Sequence, residues 1–353
     1  MSVSELISKL NVRNTNMNRR TFFYHSGVLC SSLGLRALGG SATLGAFSFL
    51  GAQEFSAPKI GYLPITDHLL IIAKELQDAN FTPIKFSSWA DLSEALRAGA
   101  IDGAFILTPL ALKLKSQGAK IKALLATHRN GSALVVKKGL LQEGQAHNPS
   151  LLKGRKIAIP SRFSTHYLLL CKLLEQADVD ISELKLIDMP PPEMLQALNA
   201  GSIDGYIVAE PFCIAAQARA LADIFILSKD IAPNHICCAL VFGEGYLQAK
   251  RESVLSLVRD FSQTARFITQ NHQKAAELSR KFLGQKPELI TKLLGEQKRV
   301  IYENLALNKE DITQVLKDSK HFGVGDFSVS YEDFVDSSFL QALALVSEYK
   351  ALM

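Results

Sequence analysis

The stretch LRAGAIDGAFILTP, Leu96 to Pro109, is nearly repeated as LNAGSIDGYIVAEP, Leu198 to Pro211. The two copies agree at seven of fourteen positions: Leu, Ala, Gly, Ile, Asp, Gly and Pro. A phrase written twice, about a hundred residues apart, is too widely spaced for a solenoid unit and reads as two similar lobes. In each copy a short helical pattern ends at glycine and an apolar strand follows at once, closed by proline.

The residues before each copy repeat too. PKIGYLP from Pro58 and KIAIPS from Lys156 read as strands. DHLLIIAKEL and THYLLLCKLL have helical spacing and match at His68/His166, Leu70/Leu168, Lys74/Lys172 and Leu76/Leu174. Thr66 or Asp67 is placed to cap the first of these helices. TPIKFSS and LKLIDMP follow as strands, and WADLSEALRAG and PPEMLQALNAG as short helices. Each lobe is therefore β-α-β-α-β, the order of a mostly parallel sheet with packed helices. Gly99 and Gly201 suit left-handed helix stops. Gly103 and Gly205 are expected to leave room for a neighbouring helix, and Asp102 and Asp204 to satisfy backbone donors in the turn.

KALLATHRNGSALVVKKG reads as strand, turn, strand, and NHICCALVFGEGYLQ as a strand entering a helix. From Arg251 the pattern is almost wholly helical. One helix carries Val254, Leu257, Val258, Phe261 and Ala265 on one face. Others are expected from Lys286 to about Asn304, from Lys309 to about Ser319, and from Ser338 onward.

Composition narrows the function classes. The 353 residues are 48% hydrophobic and 21% charged, enough to bury a sizeable core. The net charge of +5 is spread among acids with no long basic run, which argues against nucleic acid as partner. Of the five cysteines, Cys30, Cys171, Cys213, Cys237 and Cys238, none forms a C-x-x-C pair, so no metal site is expected and the thiols read as buried small side chains. No cofactor motif is present, and no nucleophile elbow or phosphate loop. Near the start, MNRRTFFYHSGVLCSSLGLRALGG resembles a twin-arginine export signal, with Arg19-Arg20 before an apolar segment. Residues 1–57 are assigned to that signal and its tail.

Parallel α/β sheets present functional groups at the carboxyl ends of their strands. Those ends are Pro64 to Asp67, Ser87 to Trp89 and Thr108-Pro109 in the first lobe. In the second they are Ser161 to His166, Pro190 to Pro192 and Glu210 to Phe212. Facing one another, they would line a single cleft. Helix amino-termini there favour an anion, and the lobes would close over it about a hinge. Asp67 would oppose an anion and is read as a cap.

These residues resemble the solute-binding proteins of ABC importers of the nitrate/sulfonate/taurine/bicarbonate group. KIAIPSRFSTHYLLLCKLLEQADVD and MPPPEMLQALNAGSIDGYIVAEPF carry the general likeness. SSWADLSEALRAGAIDGAFILTPLAL is similar to the nitrate and bicarbonate branch. The resemblance implies a type II periplasmic-binding-protein fold: α/β, two similar lobes around a ligand cleft and hinge, with extra C-terminal helices. It divides the chain into lobe 1 (58–150), lobe 2 (151–236) and a return to lobe 1 with C-terminal helices (237–353), the return falling near His235 to Leu240.

By the same resemblance, Trp89 matches a tryptophan that contacts the anion. Asn130-Gly131-Ser132 matches an NGQ turn with Ser132 in place of glutamine. Ser164, Thr165 and His166 match an S-x-H element, and Glu210-Pro211-Phe212 matches EPW. NHICC stands where the nitrate branch has HPEK. Cys237-Cys238 thus replace a charged pair, which argues against nitrate itself and against a calcium-dependent bicarbonate site. The expected ligand set is Thr66, His68, Trp89, Thr108, Asn130, Ser132, Ser164, Thr165, His166 and Glu210, with His235 structural.

The function implied is non-enzymatic. A periplasmic, monomeric component would capture a small oxyanion or organic acid and deliver it to an ABC permease in the inner membrane. The alternatives are an enzyme or precursor binder of the thiamine-pyrimidine pathway type, with HICC as its faint signal, and an anion sensor using the same clamp.

Overall fold

The computed structural model describes residues 57–141 and 148–344. The twin-arginine-like segment and Cys30 lie outside the described residues. Among those described, no helix is long and apolar enough to cross a membrane.

Twelve strands are described: β1 (Lys59–Tyr62), β2 (Thr82–Lys85), β3 (Gly103–Leu107), β4 (Ile121–Ala126), β5 (Arg129–Asn130), β6 (Ser132–Lys137), β7 (Lys156–Ile159), β8 (Lys185–Asp188), β9 (Gly205–Ala209), β10 (Ala222–Leu227), β11 (Cys238–Gly243) and β12 (Val300–Ile301). They form a five-stranded sheet in the order β2-β1-β3-β11-β4, a second in the order β10-β6-β9-β7-β8, and the pair β12-β5.

Read from matching edges, the two large sheets are the same. β1 is parallel to β2 and β3, as β7 is to β8 and β9. Ile60 faces Gly103 as Ile157 faces Gly205. In each sheet the next strand is antiparallel: β11 beside β3, β6 beside β9. These two strands are the crossings. β6 reaches the second sheet immediately after the short β5, so the first crossing falls at about residues 127–131, earlier than the boundary at 150 expected from sequence. β11 carries the chain back into the middle of the first sheet.

The repeated glycines have a different cause from the one expected. A β-carbon on Gly103 would stand 2.8 Å from the Val241 carbonyl oxygen, and one on Gly205 2.5 Å from that of Val135. The crowding comes from the antiparallel crossing strand, not from a helix. Asp102 and Asp204 act as anticipated toward backbone donors, each accepting at 2.8 Å from the first residue of the neighbouring strand, Lys59 and Lys156. Gly99 and Gly201 take left-handed φ values of 68° and 71°.

The helices between Arg251 and Gly295 pack with the first sheet, whereas Lys309–His321 packs against the helices Thr108–Ser116 and Thr165–Glu175. The helix Arg251–Gln270 buries Val254, Leu257, Val258, Phe261, Ala265 and Ile268, which recur every three or four residues. Phe261 meets Phe105 of β3 edge-on at 5.4 Å and Phe81 at 5.5 Å. Each such fully buried side chain contributes roughly 1.5–3 kcal/mol. The helix expected to run to Asn304 ends at Gly295, and the chain then forms β12 against β5.

Candidate functional site

Thr66, His68, Trp89, Thr108, Asn130, Ser132, Ser164, Thr165, His166 and Glu210 are all buried. They do not all face the same way.

Asn130, Ser164 and Glu210 serve the protein's own framework. Asn130 donates to the Lys298 carbonyl at 2.9 Å and accepts from the Asn234 amide. It holds a left-handed φ of 60°, which asparagine tolerates. Ser164 caps its helix, accepting from the Tyr167 amide at 3.1 Å. Glu210 pairs with Arg299, whose Nε donates at 3.0 Å, and accepts from the Ile214 amide at 2.9 Å. Burial pushes the Glu210 carboxyl up against the pull of Arg299. Thr66 also binds inward, through its amide and hydroxyl, to the Glu210 carbonyl. His235 donates from Nδ1 to the Ala232 carbonyl oxygen of its own turn at 2.7 Å.

The others converge. Thr108 of the first repeat donates its amide to the Cys237 carbonyl at 2.9 Å, and the Thr165 hydroxyl of the second donates to the same oxygen at 3.2 Å. The return segment is thus held between both repeats. His68 accepts the Leu63 amide on Nδ1 at 2.8 Å, which puts its proton on Nε2. Burial holds its pKa down to about 3, so the ring is neutral. It stands edge-on to Trp89, ring centroids 5.5 Å apart. His166 Nε2 lies 3.0 Å from the Ser132 hydroxyl and 4.0 Å from Cys237 Sγ.

Several of these buried polar atoms have no hydrogen-bond partner: His68 Nε2, Trp89 Nε1, Thr108 Oγ1 and His166 Nδ1, with Asp67 Oδ1 and both nitrogens of His128. Leaving a buried donor unmet costs about 1–3 kcal/mol. So many around one locus indicate a place for something else to bind.

Asp67 and His128 were not among the expected ligands. Asp67 does not cap its helix, which begins as a 3-10 turn without a side-chain cap. Its carboxylate turns inward instead. Oδ2 accepts from Cys238 Sγ at 3.6 Å, and Oδ1 stands 3.1 Å from His128 Nε2 without hydrogen-bond geometry. Burial and the neighbouring Cys237 push Asp67 up to about 7. Burial opposes charge on His128, but Asp67 and Cys237 outweigh it and push the imidazole up to about 10. Burial would likewise raise the Cys237 thiol; Cys238, His166 and His128 reverse that and bring it well below its ordinary range. Asp67, His166 and Cys237 each offer a ligand atom within 4.8 Å of the others, a grouping that could hold a metal ion. This corrects the expectation, drawn from cysteine spacing alone, that the chain offers no such set.

A pocket of about 370 Å³ is lined from the first repeat by Ser88, Trp89 and Lys113 and from the second by Ser161, Phe163 and Pro190. Lys113 Nζ sits 3.4 Å above the Phe163 ring, joining the two sides.

Residues 51–281, well over half of the chain, match the NMT1-like family. The chain belongs to that family. It is 26% identical over 279 residues to the taurine-binding periplasmic protein of Escherichia coli, covering 73% of this chain and 82% of that one. It is 30% identical over 231 residues to the nitrate import ATP-binding protein NrtC of Synechococcus elongatus, covering 59% of this chain. The match spans about a third (34%) of NrtC's length. Among solved structures, the zinc-bound ligand-binding component of an ABC-type import system from Staphylococcus aureus superposes with a TM-score of 0.74 at 27% identity, covering 85% of this chain and 99% of that one. The family and the periplasmic-binding fold expected from sequence are both borne out.

Proposed function

We propose that this chain is the extracytoplasmic solute-binding component of an ABC importer. It captures a small oxyanion or organic acid by closure of two lobes and passes it to a permease in the inner membrane, without catalysing a reaction. One observation carries this reading: His68, Trp89, Thr108 and His166 bring polar atoms without partners to a buried locus between the repeats. The neutral N–H of His68, the indole N–H of Trp89 and the hydroxyl of Thr108 are all donors, a set suited to oxygens that carry negative charge. Named relatives that bind taurine or take part in nitrate import support transport over the thiamine-pathway enzyme and over the sensor.

The test is a thermal-shift panel of nitrate, nitrite, bicarbonate, taurine, alkanesulfonates and pyrimidines. Zinc on the Staphylococcus aureus relative adds divalent cations to that panel. A binder present at a hundred times its Kd stabilises the fold by about 2.7 kcal/mol. Fractionation of cells is the second arm: a wholly cytosolic protein that shifts with no solute overturns the reading.

A further inference from the structure

Asp67, His166 and Cys237 each offer a ligand atom within 4.8 Å of the others, and Asp67 Oδ1 and His166 Nδ1 have no hydrogen-bond partner.

We propose that Asp67, His166 and Cys237 bind one divalent cation of the zinc class, with His128 beside Asp67. The donor chemistry is selective. A thiolate with an imidazole and a carboxylate suits zinc and similar soft ions rather than magnesium or calcium, which take oxygen ligands. The geometry is near what such an ion needs. Zinc bonds of about 2.0 Å to N and O and 2.3 Å to S place tetrahedral ligand atoms about 3.3–3.6 Å apart. Here the three ligand atoms lie within 4.8 Å of one another, with Cys237 Sγ and His166 Nε2 4.0 Å apart. Second contacts orient the ligands: the Cys238 thiol donates to Asp67 Oδ2, and the Cys237 carbonyl is held by Thr108 and Thr165. The ligands come from three separate stretches of chain, so the ion ties the two repeats together. This rests on the clamp reading for its position in the cleft, not for the binding itself.

The experiment uses the full chain, purified under reducing conditions and stripped with a chelator, then titrated with cobalt(II) and with zinc. One equivalent of cobalt is expected, with the absorption of a tetrahedral ion and a thiolate-to-cobalt charge-transfer band, and zinc displaces it. Cys237→Ser abolishes the charge-transfer band. His166→Ala and Asp67→Asn each weaken zinc by about 10-fold or more. Cys171→Ser and Cys213→Ser leave the band intact. Cooperative melting of each metal-free variant confirms that it folds; should Cys237→Ser not fold, the wild-type charge-transfer band alone decides whether a thiolate is a ligand. Failure of wild-type protein to bind a stoichiometric ion overturns the proposal, as does a cobalt spectrum without a thiolate band. A protein that binds zinc but no anion would sink the solute assignment and leave the metal site standing; one that binds an anion but no metal does the reverse.

Discussion

Arg299 reaches from the loop before β12 to Glu210 at the end of β9, and neither side chain is more than 3% exposed. The pair joins the C-terminal segment to the second sheet. Removing one partner strands the other charge in a dry setting, whereas removing both does not. Arg299→Met is expected to cost about 3–5 kcal/mol and the double variant Arg299→Met/Glu210→Gln clearly less. Urea denaturation of the three proteins measures this; equal losses in the single and double variants would show that the pair is not coupled.

At the repeated glycines, addition of one methyl group is expected to be costly although both lie at ordinary strand φ. Gly205→Ala forces a β-carbon against the Val135 carbonyl at 2.5 Å, and overpacking of this kind costs about 1–3 kcal/mol. Gly103→Ala meets Val241 at 2.8 Å and should cost the same or less. Alanine at Gly245, where nothing lies within 4 Å, is the control and should leave the denaturation midpoint unchanged or raised.

Trp89 separates solute contact from packing. Trp89→Phe keeps most of the buried ring and removes an Nε1–H that has no protein partner. The solute-free protein should keep its stability, while the winning solute loses about 10-fold in affinity, the worth of one hydrogen bond to a charged group. Thr108→Val should behave alike. Calorimetric titration checks both, and unchanged affinity in the pair would place the solute elsewhere.

Lys113 over Phe163 is a contact between the two repeats. A cation–π contact of this kind contributes about 0.5–2 kcal/mol. Phe163→Ala should therefore speed solute release by about 2- to 30-fold with little change in the association rate. Stopped-flow measurement of both rates decides it; a loss confined to association would mean the contact does not hold the closed form.

Much of the architecture was legible because it was written twice. Periodicity located β1 to β3 and β7 to β9, and the buried face of the helix Arg251–Gln270. Where the chain crosses was harder. β6 looks like any apolar strand following a turn, and nothing local says which sheet it joins. The site was half legible for a related reason. His166, Trp89 and Thr108 lie at strand ends of a recognisable repeat. Asp67 has the sequence context of a helix cap, and only the inward turn of the 3-10 segment reveals otherwise. His128 sits at the end of an apolar strand, and Cys237-Cys238 read as small buried side chains. Residues 67, 128, 166 and 237 become neighbours through the crossings, which spacing arithmetic along the chain does not see. The departure of NHICC from the charged pair of the nitrate branch was the one available signal.

The position of β11 sets an order of events on the ribosome. Among the described residues β4 pairs in the sheet with β11 and otherwise makes one bridge to Val335, so a nascent chain that has not yet reached Gly243 has β4 without a ladder. The first half, although made first, is closed last, after the second has been threaded out and back. Contacts so distant along the chain form slowly, and an incomplete sheet leaves an open edge in the meantime. Truncation anywhere before Cys238 should therefore yield an aggregating fragment rather than a free-standing lobe.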